Sequence, residues 1–79
     1  MAAYERKDNM DCSPQLPLPH YQTELDARRK CTQKEDCSMF FDVNGNGNQF
    51  VLCSDAATMK PSLAGSILYV KKIGKSVHF

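Results

Sequence analysis

CTQKEDCSMFFDVNGNGNQFVLC, residues 31–53, is the stretch whose reading decides the fold. It holds three of the four cysteines. Cys37 to Val43 is rich in strand formers, with Met39, Phe40, Phe41 and Val43 in seven residues. Asn44-Gly45-Asn46-Gly47-Asn48 follows; these residues tolerate positive φ and mark a hairpin turn. Gln49 to Cys53 reads as the return strand, so the two runs pair antiparallel.

Upstream, Thr23 is placed to cap a helix, with Glu24 and Asp26 favourable in its first turn. The run ELDARRKCTQK contains good helix formers and predicts a helix from about Glu24 to Gln33 or Lys34. Ala27 and Cys31 share one face, flanked by Leu25 and Arg28. The helix is weakly amphipathic, so its docking depends partly on a staple. Lys34-Glu35-Asp36 reads as the turn out.

Downstream, residues 55–66 (DAATMKPSLAGS) read as a loop punctuated by Pro61 and Gly65. Ile67 to Ile73 reads as a further strand, central at its apolar start and exposed at its lysine end, with a tail from Gly74. Residues 1–11 are polar and aperiodic, compatible with an edge strand from Tyr4 or with a frayed terminus. Pro14, Pro17 and Pro19 exclude a helix over residues 12–20, leaving an extended segment that packs Leu16 and Leu18. The Pro14/Pro17 spacing fits a PxxP ligand, a pattern common by chance. The elements define an α+β domain, with Met39, Phe40, Phe41, Val51, Leu52, Leu68 and Val70 as its expected core.

Seventy-nine residues bound the chain to one domain, 1–79, with its core at about 12–72. A core this small supplies only about 3–5 kcal/mol, so staples are expected. Four cysteines are an even set, which points to two disulfides and an oxidising compartment. Zinc sites pair ligands across about two to four residues. Here five residues separate Cys31 from Cys37, and Cys12 and Cys53 stand alone. Four cysteines permit three connectivities.

A net charge of +1 argues against a nucleic-acid partner. The basic clusters Arg28-Arg29-Lys30 and Lys71, Lys72 and Lys75 read as a solvated helix face and a strand end. No apolar run is long enough to span a membrane. No basic-then-apolar start resembles a signal peptide, so a secreted form would be a mature fragment or an excised domain.

Asp42-Val-Asn44-Gly-Asn46-Gly47 matches the opening of a calcium loop. The rest fails: Cys53 stands where a bidentate glutamate is required, and Gln49 where an apolar residue is usual. A metal is therefore not expected. The same turn is a candidate recognition surface. Asn44, Asn46 and Asn48 offer amide donors and acceptors on a loop tip, suited to sugar hydroxyls beside an aromatic such as Tyr69, with Lys71 as a further candidate contact. The plainer alternative is that asparagine and glycine serve turn geometry alone. His20 and His78 read as surface residues. No nucleophile elbow, phosphate-binding glycine loop or N-glycosylation sequon occurs, so neither catalysis nor a cofactor is expected.

A helix carrying Cys31, a short loop to Cys37, the Cys37-Ser-Met-Phe40 strand, a hairpin, Phe50-Val-Leu-Cys53 and a closing Ile67-Leu-Tyr-Val-Lys71 strand together resemble the PAN/apple domain. The resemblance covers about residues 20–72 and is nearest to the tandem copies in microneme adhesive proteins of coccidian parasites. It implies a single helix on a five-stranded antiparallel sheet, and a disulfide from helix to next strand, Cys31–Cys37. The family's second bridge joins an earlier helix cysteine to the return strand. Ala27 occupies that helix position here, so Cys12 is the expected partner of Cys53. The family's terminal bridge has no counterpart, because no cysteine follows Cys53.

The resemblance further implies a non-enzymatic, secreted adhesion module that binds protein or carbohydrate on a cell surface or a co-secreted adhesin, without membrane insertion. Two other readings compete: a structural spacer with no ligand of its own, and a secreted inhibitor-like effector. The latter would present a rigid loop flanked by disulfides, whereas the Asp55–Ser66 segment follows only one cysteine.

Overall fold

The computed structural model describes residues 3–17 and 20–72. Leu18, Ile73, the tail from Gly74, Lys75 and His78 lie outside the described residues. The elements are β1 (Ala3–Asp8), β2 (Met10–Gln15), α1 (Glu24–Gln33), β3 (Cys37–Asp42), a 3-10 turn (Val43–Gly45), β4 (Phe50–Pro61) and β5 (Ile67–Lys72). Among the described residues, five strands form one antiparallel sheet in the order β1-β5-β3-β4-β2, and one helix packs on it.

Helix α1 begins where its cap predicts: the Thr23 hydroxyl accepts the Asp26 N–H at 3.1 Å. Its buried positions are Ala27 and Cys31, four residues apart on one face. With so little apolar surface, the helix is held by the Cys31–Cys37 disulfide to the start of β3. The second disulfide is Cys12–Cys53.

The hairpin is present, and its register sorts the side chains onto two faces. Phe40 lies opposite both Leu52 and Tyr69. These three share the helix-side core with Ala27, Cys31, Cys37 and Phe50. Phe41 lies opposite Val51 and Leu68 and, with Met39, Cys12 and Cys53, builds a second core on the other face. Val70 only borders that cluster, half-buried at the end of the sheet. Burial on both faces explains why Met39-Phe40-Phe41 is a continuous apolar run.

The second face is covered by the chain folding back on itself. Ser13 pairs with Thr58 and Gln15 with Cys53, so four residues of β4 (54–57) stand opposite Pro14 alone. This wide bulge bends β4. Inside it, the Ser54 hydroxyl accepts the Ala56 N–H at 3.1 Å, and Ser38 Oγ donates to the Ser54 carbonyl at 2.7 Å. Beyond the bend, β4 and β2 return across the face, bringing β2 near β3 and β5 as well. The outermost strands β1 and β2 are joined by Asn9 alone, at φ 60°, so the two sheet edges meet at one end.

One sequence expectation is corrected here. Residues 55–66 are not one loop: β4 runs on to Pro61, and only the segment from Ser62 to Ser66 is irregular. Pairing of residues 58–61 with β2 carries the strand past Asp55-Ala56-Ala57, which lie in the bulge. Of the two readings for the N-terminal stretch the edge strand holds, for residues 3–11 supply β1 and the start of β2. Their polar character is edge-strand chemistry. Glu5 pairs with Lys7 at 3.2 Å and Arg6 with Asp8 at 2.9 Å, each pair on one face of β1.

Candidate functional site

The Asn-Gly turn is built around a buried carboxylate. Asp42, at the end of β3, is 4% exposed, and both its oxygens accept the Gly47 N–H at 3.0 Å. Asn46 Oδ1 accepts the Asn48 N–H at 3.0 Å. Asn44 and Gly45 adopt φ of 60° and 64°, the left-handed region that suits asparagine and glycine. A Cβ on Gly45 would lie 2.6 Å from the Gly65 carbonyl oxygen, so this position also needs glycine for close approach. Asn44, Asn46 and Asn48 are exposed along the tip. Among the described residues, no three His, Cys, Asp or Glu side chains converge as metal ligands. The carboxylate that would open a calcium loop is instead turned inward to fix the backbone.

Tyr69 and Lys71 are not beside this turn. Tyr69 lies under the helix, its ring stacked on Phe40 at 4.8 Å and 14°. Its hydroxyl donates to Glu24 Oε1 at 3.4 Å. The Arg28 guanidinium lies over Tyr69 at 5.8 Å and over Tyr4 at 5.1 Å, and pairs with Glu24 along the helix. Burial, ahead of the nearby Glu24 charge, raises the Tyr69 phenol above its ordinary value. Burial raises Tyr4 as well, against the opposing hydrogen bond with Thr32 and the Arg28 charge. Lys71 is engaged at the other end of the sheet, where its ammonium donates to the carbonyls of Cys31 (2.7 Å), Cys37 (3.1 Å) and Lys34 (3.3 Å).

The structure therefore divides the five candidate contacts. Three asparagines share the turn, while Tyr69 and Lys71 hold the helix to the sheet. Other residues come to the turn instead. His20 Nδ1 lies 3.1 Å from Gln49 Nε2. Ser66, buried, accepts the Asn44 N–H on its hydroxyl at 3.3 Å. The Ser62–Ser66 loop and Asn9 adjoin them, with Leu63 fully exposed at the loop apex. The one sequence signal for this was a leucine set between Pro61 and Gly65 in a turn-rich segment.

Chemically, the assembled end offers amides, the His20 imidazole and the Leu63 side chain. All four cysteines are in disulfides, so the chain presents no thiol nucleophile. No helix of the described residues is long and apolar enough to cross a membrane. Compared with models of known protein families, with curated proteins and with solved structures, the chain matches none.

Proposed function

We propose that this chain is a non-enzymatic recognition module of apple type, secreted and used as one copy in a multi-domain, microneme-type adhesin that binds protein or carbohydrate. The observation that supports the reading is the Cys31–Cys37 staple, which joins the one helix to the next strand of a five-stranded antiparallel sheet. That is the arrangement the resemblance implies. Two buried disulfides also suit an oxidising compartment. Tandem copies would add avidity to a weak single site.

The spacer reading draws on a specific observation: Tyr69 and Lys71, two of the five candidate contacts, are committed to internal bonds. The inhibitor reading is weakened, because Leu63 and Ala64 form a turn. A substrate-like loop would be extended there. A glycan array probed with the 79-residue domain, beside a pull-down from host-cell and parasite secretions, separates adhesin from spacer. Saturable retention in either assay supports recognition; silence in both supports the spacer.

A further inference from the structure

The turn after β3 holds Asn44-Gly45 and Asn46-Gly47 in succession, all of them exposed. An Asn-Gly pair has a covalent chemistry of its own. The glycine backbone nitrogen, unshielded by a side chain at its own Cα, can attack the carbonyl carbon of the asparagine side chain. A carbon–nitrogen bond forms there, the bond to the side-chain amide nitrogen breaks, and ammonia leaves with the proton given up by the glycine nitrogen. Water then opens the cyclic imide at either carbonyl and leaves aspartate or isoaspartate. The balance is amide plus water giving acid plus ammonia, with nothing oxidised or reduced. The step requires the glycine N–H to lose its proton and to turn toward the preceding side chain. A hydrogen bond that holds this N–H elsewhere opposes both.

The fold treats the two pairs differently. At the second, both oxygens of Asp42 accept the Gly47 N–H at 3.0 Å, and Asn46 Oδ1 accepts the Asn48 N–H at 3.0 Å. Asp42 is buried, and among the described residues Gly47 is its one donor. Turning the Gly47 nitrogen toward Asn46 would strand that buried charge. Attack at Asn46 must therefore first break a bond to a charged group, the costly kind. At the first pair, among the described residues, no side chain accepts the Gly45 N–H and nothing bonds the Asn44 side chain. Asn44 is held through its backbone N–H, to Ser66 Oγ at 3.3 Å, and the turn closes on a long bond from Asn46 N–H to the Val43 carbonyl, 3.4 Å. Neither leaves a buried charge behind when it breaks.

We infer that Asn44 is a site of spontaneous deamidation, converted to aspartate or isoaspartate through attack by the Gly45 nitrogen, while the Asp42 carboxylate protects Asn46 in the same turn. The inference stands apart from the recognition reading but bears on it. The product adds a negative charge at an exposed position, and a carboxylate there accepts hydrogen bonds without donating any. A contact that used the Asn44 amide as donor would be lost as the protein ages. Isoaspartate would also lengthen the backbone beside Gly45, which abuts the Gly65 carbonyl too closely to admit even a Cβ.

The test holds the 79-residue chain at mildly alkaline pH with its disulfides intact, beside the same chain reduced and denatured in urea. Peptide mass spectrometry, with fragmentation that separates residue 44 from residue 46, follows the conversion of each over time. Each rate is divided by that of the same residue in the denatured chain. On that scale Asn44 is expected to convert about 10- to 100-fold faster than Asn46, the factor that follows from breaking one hydrogen bond to a charged group. Equal rates, or Asn46 ahead, would overturn the assignment. So would an Asn44 that stays intact in the folded protein over the time in which the denatured chain converts.

Discussion

The ammonium of Lys71 donates to the carbonyl oxygen of Cys31 at 2.7 Å, tying the end of β5 to the last turn of the helix. The same group reaches Cys37, so one side chain bonds the backbone at both halves of the helix–strand disulfide. A cation at a helix C-terminus also meets the negative end of the helix dipole. Lys71→Met keeps the stem and removes the donor. It is expected to cost about 2 kcal/mol in urea unfolding, the range for a hydrogen bond to a charged group. An unchanged midpoint would show that the carbonyls are satisfied without it.

The two disulfides should contribute unequally. Cys31–Cys37 spans a separation of 6 residues and Cys12–Cys53 a separation of 41. Loop-closure entropy assigns them about 2.4 and about 4 kcal/mol. The long bridge also ties the folded-back β2–β4 ribbon to the second core. Cys53→Ser should therefore lower the melting temperature more than Cys37→Ser. Equal losses would place the ribbon's stability in its strand pairing alone.

Gly45 and Gly47 give a paired test of the turn. Both have positive φ, 64° and 78°. Gly47→Ala adds a Cβ with nothing within 4 Å, so only the backbone cost of about 1 kcal/mol applies. At Gly45 the new Cβ would meet the Gly65 carbonyl at 2.6 Å, forcing two loops apart. Gly45→Ala should destabilise by about 2–4 kcal/mol in chemical denaturation, well beyond Gly47→Ala. Similar losses for the two would mean that the loops part freely.

Much of this was legible in the sequence, for local reasons. Thr23, the Asn-Gly run and the aromatic pair Phe40-Phe41 each act on their immediate neighbours, so helix, turn and hairpin could be read directly. The β2–β4 ribbon could not. Residues 58–61 are drawn into β4 by pairing with residues 10–13, far upstream in sequence, and the bulge opposite Pro14 leaves no local trace. Nor could the fate of Tyr69 and Lys71 be read, since alternation along β5 puts both on one face without saying that the helix lies over it. The Ser62–Ser66 loop was visible as a turn-rich segment, but the Asn44–Ser66 bond depends on β4 bending back.

Alkaline pH should weaken the domain through two phenols. Burial raises Tyr4 and Tyr69 above the ordinary value of 10.0, so the folded state holds those protons longer than the unfolded chain does. Protons bound in excess by the folded state make stability fall with rising pH. The contribution is intact below pH 10 and is lost as pH climbs from there through the raised values. Urea midpoints between pH 8 and pH 11 should fall less steeply for Tyr4→Phe and Tyr69→Phe than for wild type, whatever their starting stability. Parallel curves would assign the decline to other groups.

The most direct test of the account is peptide mapping, without reduction and with free thiols blocked, of the protein isolated from its natural source. Fold and compartment both rest on the cysteines. The account predicts two linked peptide pairs, Cys12–Cys53 and Cys31–Cys37, with no blocked thiol. A Cys31–Cys53 link would contradict the fold, and alkylated cysteines in the native protein would contradict the oxidising, secreted setting on which the recognition function depends.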